Sequence, residues 1–246
     1  MTASYCDRRC HCVDDRHRHV TYTSDKVGFQ MSTMVTRTRV ALPRRPPHLL
    51  KRERLLELLL DLLDHRLILV TAPPGYGKTS LLIDFAHAAD MPVCWYAIDA
   101  SDQDPRRFIA HFIASVARVF PTFGRESEAV LEAASTCLNL EQLVSVMVNE
   151  AYDHIQEHFL IVLDDYHLVA GIETIDQFIN RFVQQAGENC HLILSSRVML
   201  DLPDSPLMAA RSQMGGLSAE ELAFRADEIQ AFMLQNYHMN IPLSPA

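Results

Sequence analysis

The most chemically specific stretch of the sequence is Ala72–Thr79, which reads APPGYGKT. An aliphatic run at 67–70 leads into it, and the segment SLLIDF at 80–85 has helical spacing. A strand, a glycine-containing loop and a helix start form the setting that a phosphate-binding P-loop requires, because glycines let the backbone turn its N–H groups toward phosphate oxygens. The common pattern has Gly where this chain has Ala72, and the closing GKT is intact.

The loop side chains suit nucleotide chemistry. Lys78 would reach the β- and γ-phosphates, and the Thr79 hydroxyl would hold Mg²⁺. The chain contains three lysines, at positions 26, 51 and 78, and 19 arginines. A lysine at position 78 is therefore unusual among the basic residues of this chain. A compact ammonium on a flexible stem suits this task. The residues of this segment that we predict to contact the nucleotide are Pro74, Gly75, Tyr76, Gly77, Lys78, Thr79 and Ser80.

An acidic pair follows a second aliphatic run. The residues LIVL at 160–163 end in Asp164 and Asp165, which is the form of a Walker B strand. We predict that Asp164 orients Mg²⁺ and that Asp165 polarises the attacking water. Arg197 follows the pattern LILSS at 192–196 and is predicted to contact the γ-phosphate. The plain structural alternatives are an acidic turn and a surface arginine.

Two further residues are candidates for the same site. Arg211 is a second candidate for the γ-phosphate contact, and Asp99 follows a predicted strand and could face the nucleotide. Ligands of open parallel sheets bind at the carboxyl ends of the strands. Residues that follow different strands can therefore meet, although 86 positions separate Lys78 from Asp164.

The spacing of apolar residues predicts strands that alternate with helices. Predicted strands are 67–71, 93–98, 159–163, 191–195 and 213–217, and predicted helices are 52–65, 80–89, 106–120, 126–135, 140–156, 172–185 and 226–237. Asn139 is the expected N-cap of one helix, Pro105 fits the first position of another, and 200–206 is expected to be a loop. The sequence therefore predicts an α/β fold with a parallel five-stranded P-loop NTPase sheet and helices on both faces.

Length and charge limit the partners that we expect. The 246 residues, 48% of them hydrophobic, suffice for one large domain, and no apolar stretch is long enough to span a bilayer. Residues 1–54 carry 12 Lys and Arg against 5 Asp and Glu, whereas the remainder carries 10 against 26. The expected folded part is thus acidic and offers no large basic surface for nucleic acid, and we predict no membrane partner.

The two ends of the chain differ from its centre. Residues 1–40 have no sustained hydrophobic period and are predicted to be a disordered leader, with Met31 or Met34 as alternative true starts. Residues 41–240 are predicted to form the P-loop NTPase domain. Residues 241–246 look like the start of a following helical domain, because Ser244 and Pro245 suit an N-cap and a first helical position.

The six cysteines fall into two groups. Cys6, Cys10 and Cys12 lie among His and Asp residues, so a Zn²⁺ site is the alternative to a solvated tail, although their spacing fits no common zinc module. The others lie in apolar segments and are interpreted as reduced core cysteines: Cys94, Cys137 and Cys190. No secretory signal is visible, so we expect a cytoplasmic location.

Taken together, these segments resemble the N-terminal nucleotide-binding domain of the MalT-type, LuxR-family transcription activators, which are STAND-class P-loop NTPases. The resemblance runs from about Arg39 to the end and rests on LKRERLL at 50–56, VTAPPGYGKT at 70–79, Trp95, DQDP at 102–105, LIVLDDYH at 160–167, LILSSR at 192–197, PLMAAR at 206–211 and LAF at 222–224. Ala72 and Tyr76 are typical of this family. The family has an arginine on the nucleotide side near the start of the first helix, which implies that Arg52 binds the nucleotide.

The resemblance implies a switch. Such proteins hold ADP in a closed monomer, exchange it for ATP when an inducer binds a C-terminal repeat domain, and oligomerise on DNA through a C-terminal helix-turn-helix. It implies that this chain binds ATP or ADP with Mg²⁺, hydrolyses ATP slowly, self-associates in the ATP state, and reaches DNA only through domains that these 246 residues do not include. We therefore expect a fragment or the product of a truncated gene.

Two other functions remain open. One is a stand-alone AAA-like ATPase, whose turnover a neighbouring copy would stimulate with an arginine supplied in trans. The other is a non-hydrolysing interaction module that holds ADP for stability, and whose turnover would equal that of a Lys78→Ala variant. A small-molecule kinase is disfavoured, because no second basic cluster or lid is visible. The choice of adenine over guanine rests on the resemblance, since no N-K-x-D motif occurs.

Overall fold

Five parallel strands form the central sheet, in the order β2-β3-β4-β1-β5. The computed structural model describes residues 35–134 and 138–240. The strands are β1 Leu67–Thr71, β2 Val93–Ala97, β3 Phe159–Asp164, β4 Cys190–Ser196 and β5 Met214–Leu217. The predicted α/β class, with a parallel five-stranded P-loop NTPase sheet, is confirmed.

Most of the helices lie where the apolar spacing predicts them. They are α1 Glu53–Asp61, α2 Lys78–Ala88, α3 Pro105–Val119, α4 Arg125–Ala133, α5 Leu140–His154, α6 Glu173–Gln185, α7 Ser205–Ala210, α8 Ala219–Leu222 and α9 Ala226–Tyr237. Two predicted helix starts are confirmed, because Pro105 is the first residue of α3 and the Asn139 side chain accepts a hydrogen bond from Gln142 N–H at the start of α5.

Alternate residues of each strand pack on opposite faces of the sheet. In β3, Ile161 and Leu163 lie in a large core with residues of α3 to α6, whereas Leu160 and Val162 lie in a smaller core with α1 and α2. All four side chains are fully buried. Strands buried on both faces are near-continuous aliphatic runs, which is why their sequences predicted a sheet covered on both sides.

The strand order decides which loops meet. β4 lies between β1 and β3, so the segments that follow these three strands emerge side by side at one edge of the sheet. β2 is the outer strand beyond β3, and β5 is the outer strand beyond β1. This order brings the loops after β1, β3 and β4 together and keeps the loop after β2 at the margin.

Two short helices differ from the sequence prediction. α7 begins inside the segment predicted to be a loop, with Pro206 in its first turn, a position that proline tolerates. α8 has four residues and begins with a capping box between Ser218 and Glu221. Neither helix is long enough for a hydrophobic period to be visible in the sequence, so periodicity did not predict them.

An N-terminal strap, residues 35–50, crosses the edge of β2 and continues along α2. Arg39 O accepts a hydrogen bond from Ala97 N–H of β2 at 2.8 Å, and the Arg39 guanidinium pairs with the buried carboxylate of Asp102. Val40 is buried against the large core. The predicted leader of 1–40 is therefore wrong for residues 35–40, because these side chains have buried partners that lie far along the chain.

Several predictions concern residues outside the described ranges. They are the remaining leader with its Cys6, Cys10 and Cys12 tract, the alternative starts Met31 and Met34, the core position of Cys137, and the helix start in 241–246. Cys94 and Cys190 are described, and both are buried free thiols, as predicted.

Candidate nucleotide-binding site

The loop 72–77 joins the end of β1 to the first residue of α2. Gly75 and Gly77 have φ angles of +90° and +76°, which L side chains rarely adopt, although nothing lies within 4 Å of a Cβ built on either residue. Backbone conformation, rather than space, therefore favours glycine at both positions. Ala72 is buried in the smaller core, so its methyl group packs beneath the loop.

The ammonium of Lys78 lies over this loop. Its Nζ donates to Ala72 O at 2.6 Å and to Pro73 O at 3.2 Å, and the side chain is almost fully buried. Burial lowers the pKa of this ammonium, and the negative charge of Asp165 opposes that effect. The loop carbonyls and the acidic pair after β3 thus surround the lysine predicted to bind phosphate.

Asp164 is the last residue of β3, and three elements converge on its carboxylate. Ser195 Oγ of β4 donates to Asp164 Oδ1 at 2.5 Å, and the Thr79 side chain in the first turn of α2 is also hydrogen-bonded to it. Burial raises the pKa of this carboxyl, and the hydrogen bonds from Ser195 and Thr79 oppose that rise. The structure therefore brings together Thr79 and Asp164, the two residues predicted to hold Mg²⁺.

Asp165 projects from a left-handed turn beside Asp164. Its φ is +60°, and its N–H donates to Ser195 Oγ at 3.2 Å. The carboxylate oxygen Oδ1 lies 3.8 Å from Arg197 Nε and 3.7 Å from His167 Nδ1. The predicted water-polarising carboxylate and the predicted γ-phosphate contact are thus neighbours, and about half of the Arg197 side chain is exposed at the mouth of the sheet.

Arg52 caps the start of α1, and its guanidinium faces the C-terminal helix. Its Nη2 donates to Glu228 Oε2 at 2.8 Å and its Nε to Glu228 Oε1 at 3.1 Å, while Leu222 O and Ala223 O accept from its two Nη atoms. The guanidinium carbon also lies 4.4 Å from the ring centroid of Phe224. The partners of Arg52 in the structure are therefore these groups of α8 and α9 and the segment that joins them.

A pocket of about 150 Å³ opens beside the P-loop, and Arg52 forms part of its wall. The start of α2 contributes one side, the strap a second side, and the region around α9 a third. The remaining lining residues are Gly77, Ser80, Leu81, Asp84, His48, Leu49, Leu50, Phe224 and Phe232. The predicted nucleotide residues Arg52, Gly77 and Ser80 thus face one cavity.

The structure separates Asp99 from this site. It follows the outer strand β2, three strand positions from β1, which corresponds to roughly 14 Å at normal strand spacing. Its carboxylate accepts from Ser101 N–H at 2.7 Å and caps the short 3₁₀ turn Ala100–Gln103. The structure therefore does not bring Asp99 together with the residues around the P-loop. Arg211 is exposed at the end of α7, where its N–H bonds to Leu207 O.

No protein-family model matches the chain. Curated relatives do match it. The HTH-type transcriptional regulator MalT of Serratia proteamaculans is 32% identical over 199 residues, and MalT of Yersinia enterocolitica is 30% identical over 210 residues. These alignments cover 81% and 85% of this chain.

The chain is homologous to the N-terminal region of MalT. It spans about a fifth of the length of these relatives, since each alignment covers 22% of the MalT sequence. Among solved structures, the Walker-type ATPase PABY2304 of Pyrococcus abyssi aligns with 81% of this chain and 62% of its own, at 15% identity and a TM-score of 0.48. The part of the chain related to MalT contains the five-stranded parallel sheet described above.

Two residues in this MalT-related domain were not assigned a role from the sequence. Ser195 is fully buried and bonds to both Asp164 and Asp165. His167 lies beside Asp165, and its buried Nδ1 has no hydrogen-bond partner among the described residues. Burial lowers the pKa of the His167 imidazole, and the charge of Asp165 opposes that effect. In the sequence, Ser195 could have been noticed as a serine at the end of an aliphatic strand. His167 could have been noticed as a histidine two positions after the acidic pair.

Two further findings concern membrane-spanning helices and metal-ligand clusters. In the described ranges, no helix combines the length and apolar character that crossing a membrane requires. Across residues 35–134 and 138–240, no cluster of three or more His, Cys, Asp or Glu side chains is arranged to hold a metal ion.

Proposed function

We propose that this chain is the ATP- and ADP-binding, slowly ATP-hydrolysing switch module of a signal-responsive transcription regulator. The observation that supports it most is the convergence of Lys78, the Asp164–Asp165 pair and Arg197 at one edge of the sheet, in a chain homologous to MalT. The inducer-sensing and DNA-binding steps would require parts of MalT that the aligned region does not cover.

The proposed division of work follows from the geometry. Lys78 and the loop N–H groups would bind the phosphates, because the glycine conformations free the backbone to point inward and the ammonium already lies over the loop. Asp165, which is more exposed than Asp164, would polarise the attacking water. Arg197, held at 3.8 Å from Asp165, would contact the γ-phosphate and so distinguish ATP from ADP.

The residues present suit Mg²⁺. Thr79 and Asp164 supply one hydroxyl and one carboxylate, both of which are hard oxygen ligands, and Ser195 fixes the carboxylate orientation. Bound Mg²⁺ would neutralise charge on the phosphates. Thr79 and Asp164 would hold it, and the buried position of Asp164 would keep bulk water away from that carboxylate.

The pocket beside the P-loop would hold the base and the ribose. It adjoins the start of α2, where the phosphates would bind, and its outer wall contains the aromatic rings of Phe224 and Phe232. Flat apolar surfaces of this kind suit a nucleobase, because stacking needs a ring face and little polar contact. The choice of adenine rests on the relationship to MalT rather than on these contacts.

The first test is mass spectrometry of nucleotide released from the freshly purified, denatured chain, with the Lys78→Ala variant in parallel. ADP in the wild type and none in the variant would support the proposal. A wild type that carries no nucleotide and binds neither ATP nor ADP on titration would refute it. Tight binding with turnover no higher than that of Lys78→Ala would instead favour the ADP-holding module, and stimulation of turnover at high chain concentration would favour an AAA-like ATPase.

A further inference from the structure

One arginine connects residues 43–50 of the strap to α2, the helix that follows the P-loop. Arg45 Nε donates to Asp84 Oδ1 of α2 at 2.6 Å, and Arg45 Nη2 donates to Leu49 O at 3.1 Å. Asp84 is only 4% exposed. A buried carboxylate needs a charged or hydrogen-bonding partner, and the partner that the structure gives Asp84 comes from the strap.

This part of the strap has no helix or strand to fix its course. Within it, Leu49 N–H bonds to Pro46 O at 3.2 Å, and Pro43 O accepts from His87 Nε2 of α2 at 2.9 Å. The Arg45 guanidinium reaches both the Asp84 carboxylate and the Leu49 carbonyl, so it sets the position of residues 48–50 relative to α2. A planar guanidinium can hold two acceptors in fixed directions, which a lysine ammonium does less well.

Residues 48–50 are also a wall of the pocket beside the P-loop. His48, Leu49 and Leu50 line the pocket together with Asp84, which carries the ion pair. The aromatic residues Phe224 and Phe232 contribute to the same lining. The width of the pocket between the strap and α2 therefore depends on the Arg45–Asp84 pair, whereas the phosphate-facing loop 72–77 has its own backbone contacts.

We propose that the Arg45–Asp84 pair is a positioning device for the base of the bound nucleotide. It holds residues 48–50 at the distance from α2 that a flat base requires, so it controls the base-dependent part of the affinity and leaves phosphate binding to the loop. This inference rests on the proposed nucleotide site. It separates two contributions to binding that different ligands can report, because inorganic tripolyphosphate offers the loop a phosphate chain but has neither a base nor a ribose.

The test is isothermal titration calorimetry of the full chain with ADP and with tripolyphosphate. The variants are Arg45→Ala, Arg45→Lys as the conservative replacement, and Arg44→Ala as the matched control, because Arg44 is the exposed neighbour in the same strap. We expect Arg45→Ala to weaken ADP binding at least tenfold while the tripolyphosphate Kd changes less than twofold. Arg45→Lys should recover part of the ADP affinity, and Arg44→Ala should match the wild type with both ligands.

If Arg45→Ala weakened the binding of ADP and of tripolyphosphate equally, the inference would be overturned. Arg45 would then support the whole site rather than the wall of the pocket that contacts the base. Unchanged ADP binding would also overturn it while leaving the nucleotide site intact. A wild type that binds neither ligand would refute the nucleotide site itself and the role of Arg45 with it.

Hydrogen–deuterium exchange on the wild type provides a test that needs no folded variant. We expect ADP to protect the amides of residues 48–50, and tripolyphosphate to protect the loop 72–79 without protecting the strap. Protection of the strap by tripolyphosphate equal to that by ADP would contradict a role specific to the base.

Discussion

Ser195 Oγ donates to Asp164 Oδ1 at 2.5 Å and, on the same oxygen, accepts the N–H of Asp165 at 3.2 Å. One hydroxyl of β4 therefore fixes the orientation of the first carboxylate and the backbone turn that carries the second. Asp165 needs such support, because its φ of +60° is uncommon for a residue other than glycine. The proposed cation ligand and the proposed water-polarising group thus depend on the register between β3 and β4.

Replacing Ser195 tests this dependence. Ser195→Ala leaves a buried carboxylate oxygen and an N–H without their partner, so we expect the free energy of unfolding to fall by about 1–3 kcal/mol. ATP turnover should fall at least tenfold with little change in ADP affinity. Ser115→Ala is the control, because Ser115 is equally buried and donates to Phe112 O in α3. Equal turnover in the two variants, measured by phosphate release, would contradict the positioning role of Ser195.

Lys78 is predicted to be necessary for nucleotide binding. We expect Lys78→Ala to lose at least about 100-fold in ADP affinity, since a charged hydrogen bond contributes about 1.5–3 kcal/mol and an ammonium makes more than one. Lys51→Ala is the matched control, because that lysine is half exposed and pairs with Glu53 at 2.8 Å. Fluorescence titration with labelled ADP would measure both variants, and retained affinity in Lys78→Ala would be incompatible with the proposed site.

Asp165 and Arg197 are predicted to act after binding. Asp165→Asn suits the test, because asparagine also tolerates the left-handed conformation that this position has. We expect Asp165→Asn and Arg197→Ala each to lower ATP turnover at least about 100-fold while the ADP Kd changes less than about fivefold. Asp201→Asn, at an exposed position in the loop after β4, is the control. Loss of ADP binding in both variants, to the extent seen in Lys78→Ala, would refute this division of roles.

The ion pair between Arg52 and Glu228 predicts a pH dependence of stability. Burial alone would raise the pKa of Glu228, but hydrogen bonds from Arg52 and from Arg225 N–H hold it below the usual 4.5. As the pH falls, the unfolded chain takes up this proton first, so the stabilisation is complete above about pH 4.5 and is lost as the pH falls through the lower folded-state pKa.

Chemical unfolding of the wild type and of Glu228→Gln checks this sign. We expect the variant to be about 1–3 kcal/mol less stable at pH 7, and the difference to shrink as the pH falls below 4.5. Glu157→Gln, at an exposed position, should match the wild type throughout. A difference that stays constant down to pH 3 would show that the carboxylate charge of Glu228 is not what stabilises α9.

The sequence predicted the strands and several helix starts, because these depend on residues that are close together in the chain. The strands that lead to Ala72 and Asp164 are rich in aliphatic residues, and Pro105 and Asn139 start helices as their residue types suggest. The strand order and the partner of Arg52 were not predictable in this way, because Glu228 lies 176 residues away and no pattern connects the two. Ser195 gains its role only from register, since its neighbour Ser196 is equally buried and bonds to Val198 O instead.

The strap also affects which backbone groups of the outer strand β2 are free to pair with another chain. An outer strand with free N–H and C=O groups can pair with a strand from a second molecule, which promotes aggregation. Here Arg39 O already takes the N–H of Ala97, and Arg39 Nε donates to Ala97 O at 3.1 Å. The strap thus occupies the N–H and C=O groups of Ala97 at the end of this outer strand, so a chain that lacks the residues up to Val40 should self-associate more readily through β2, whether or not nucleotide is bound.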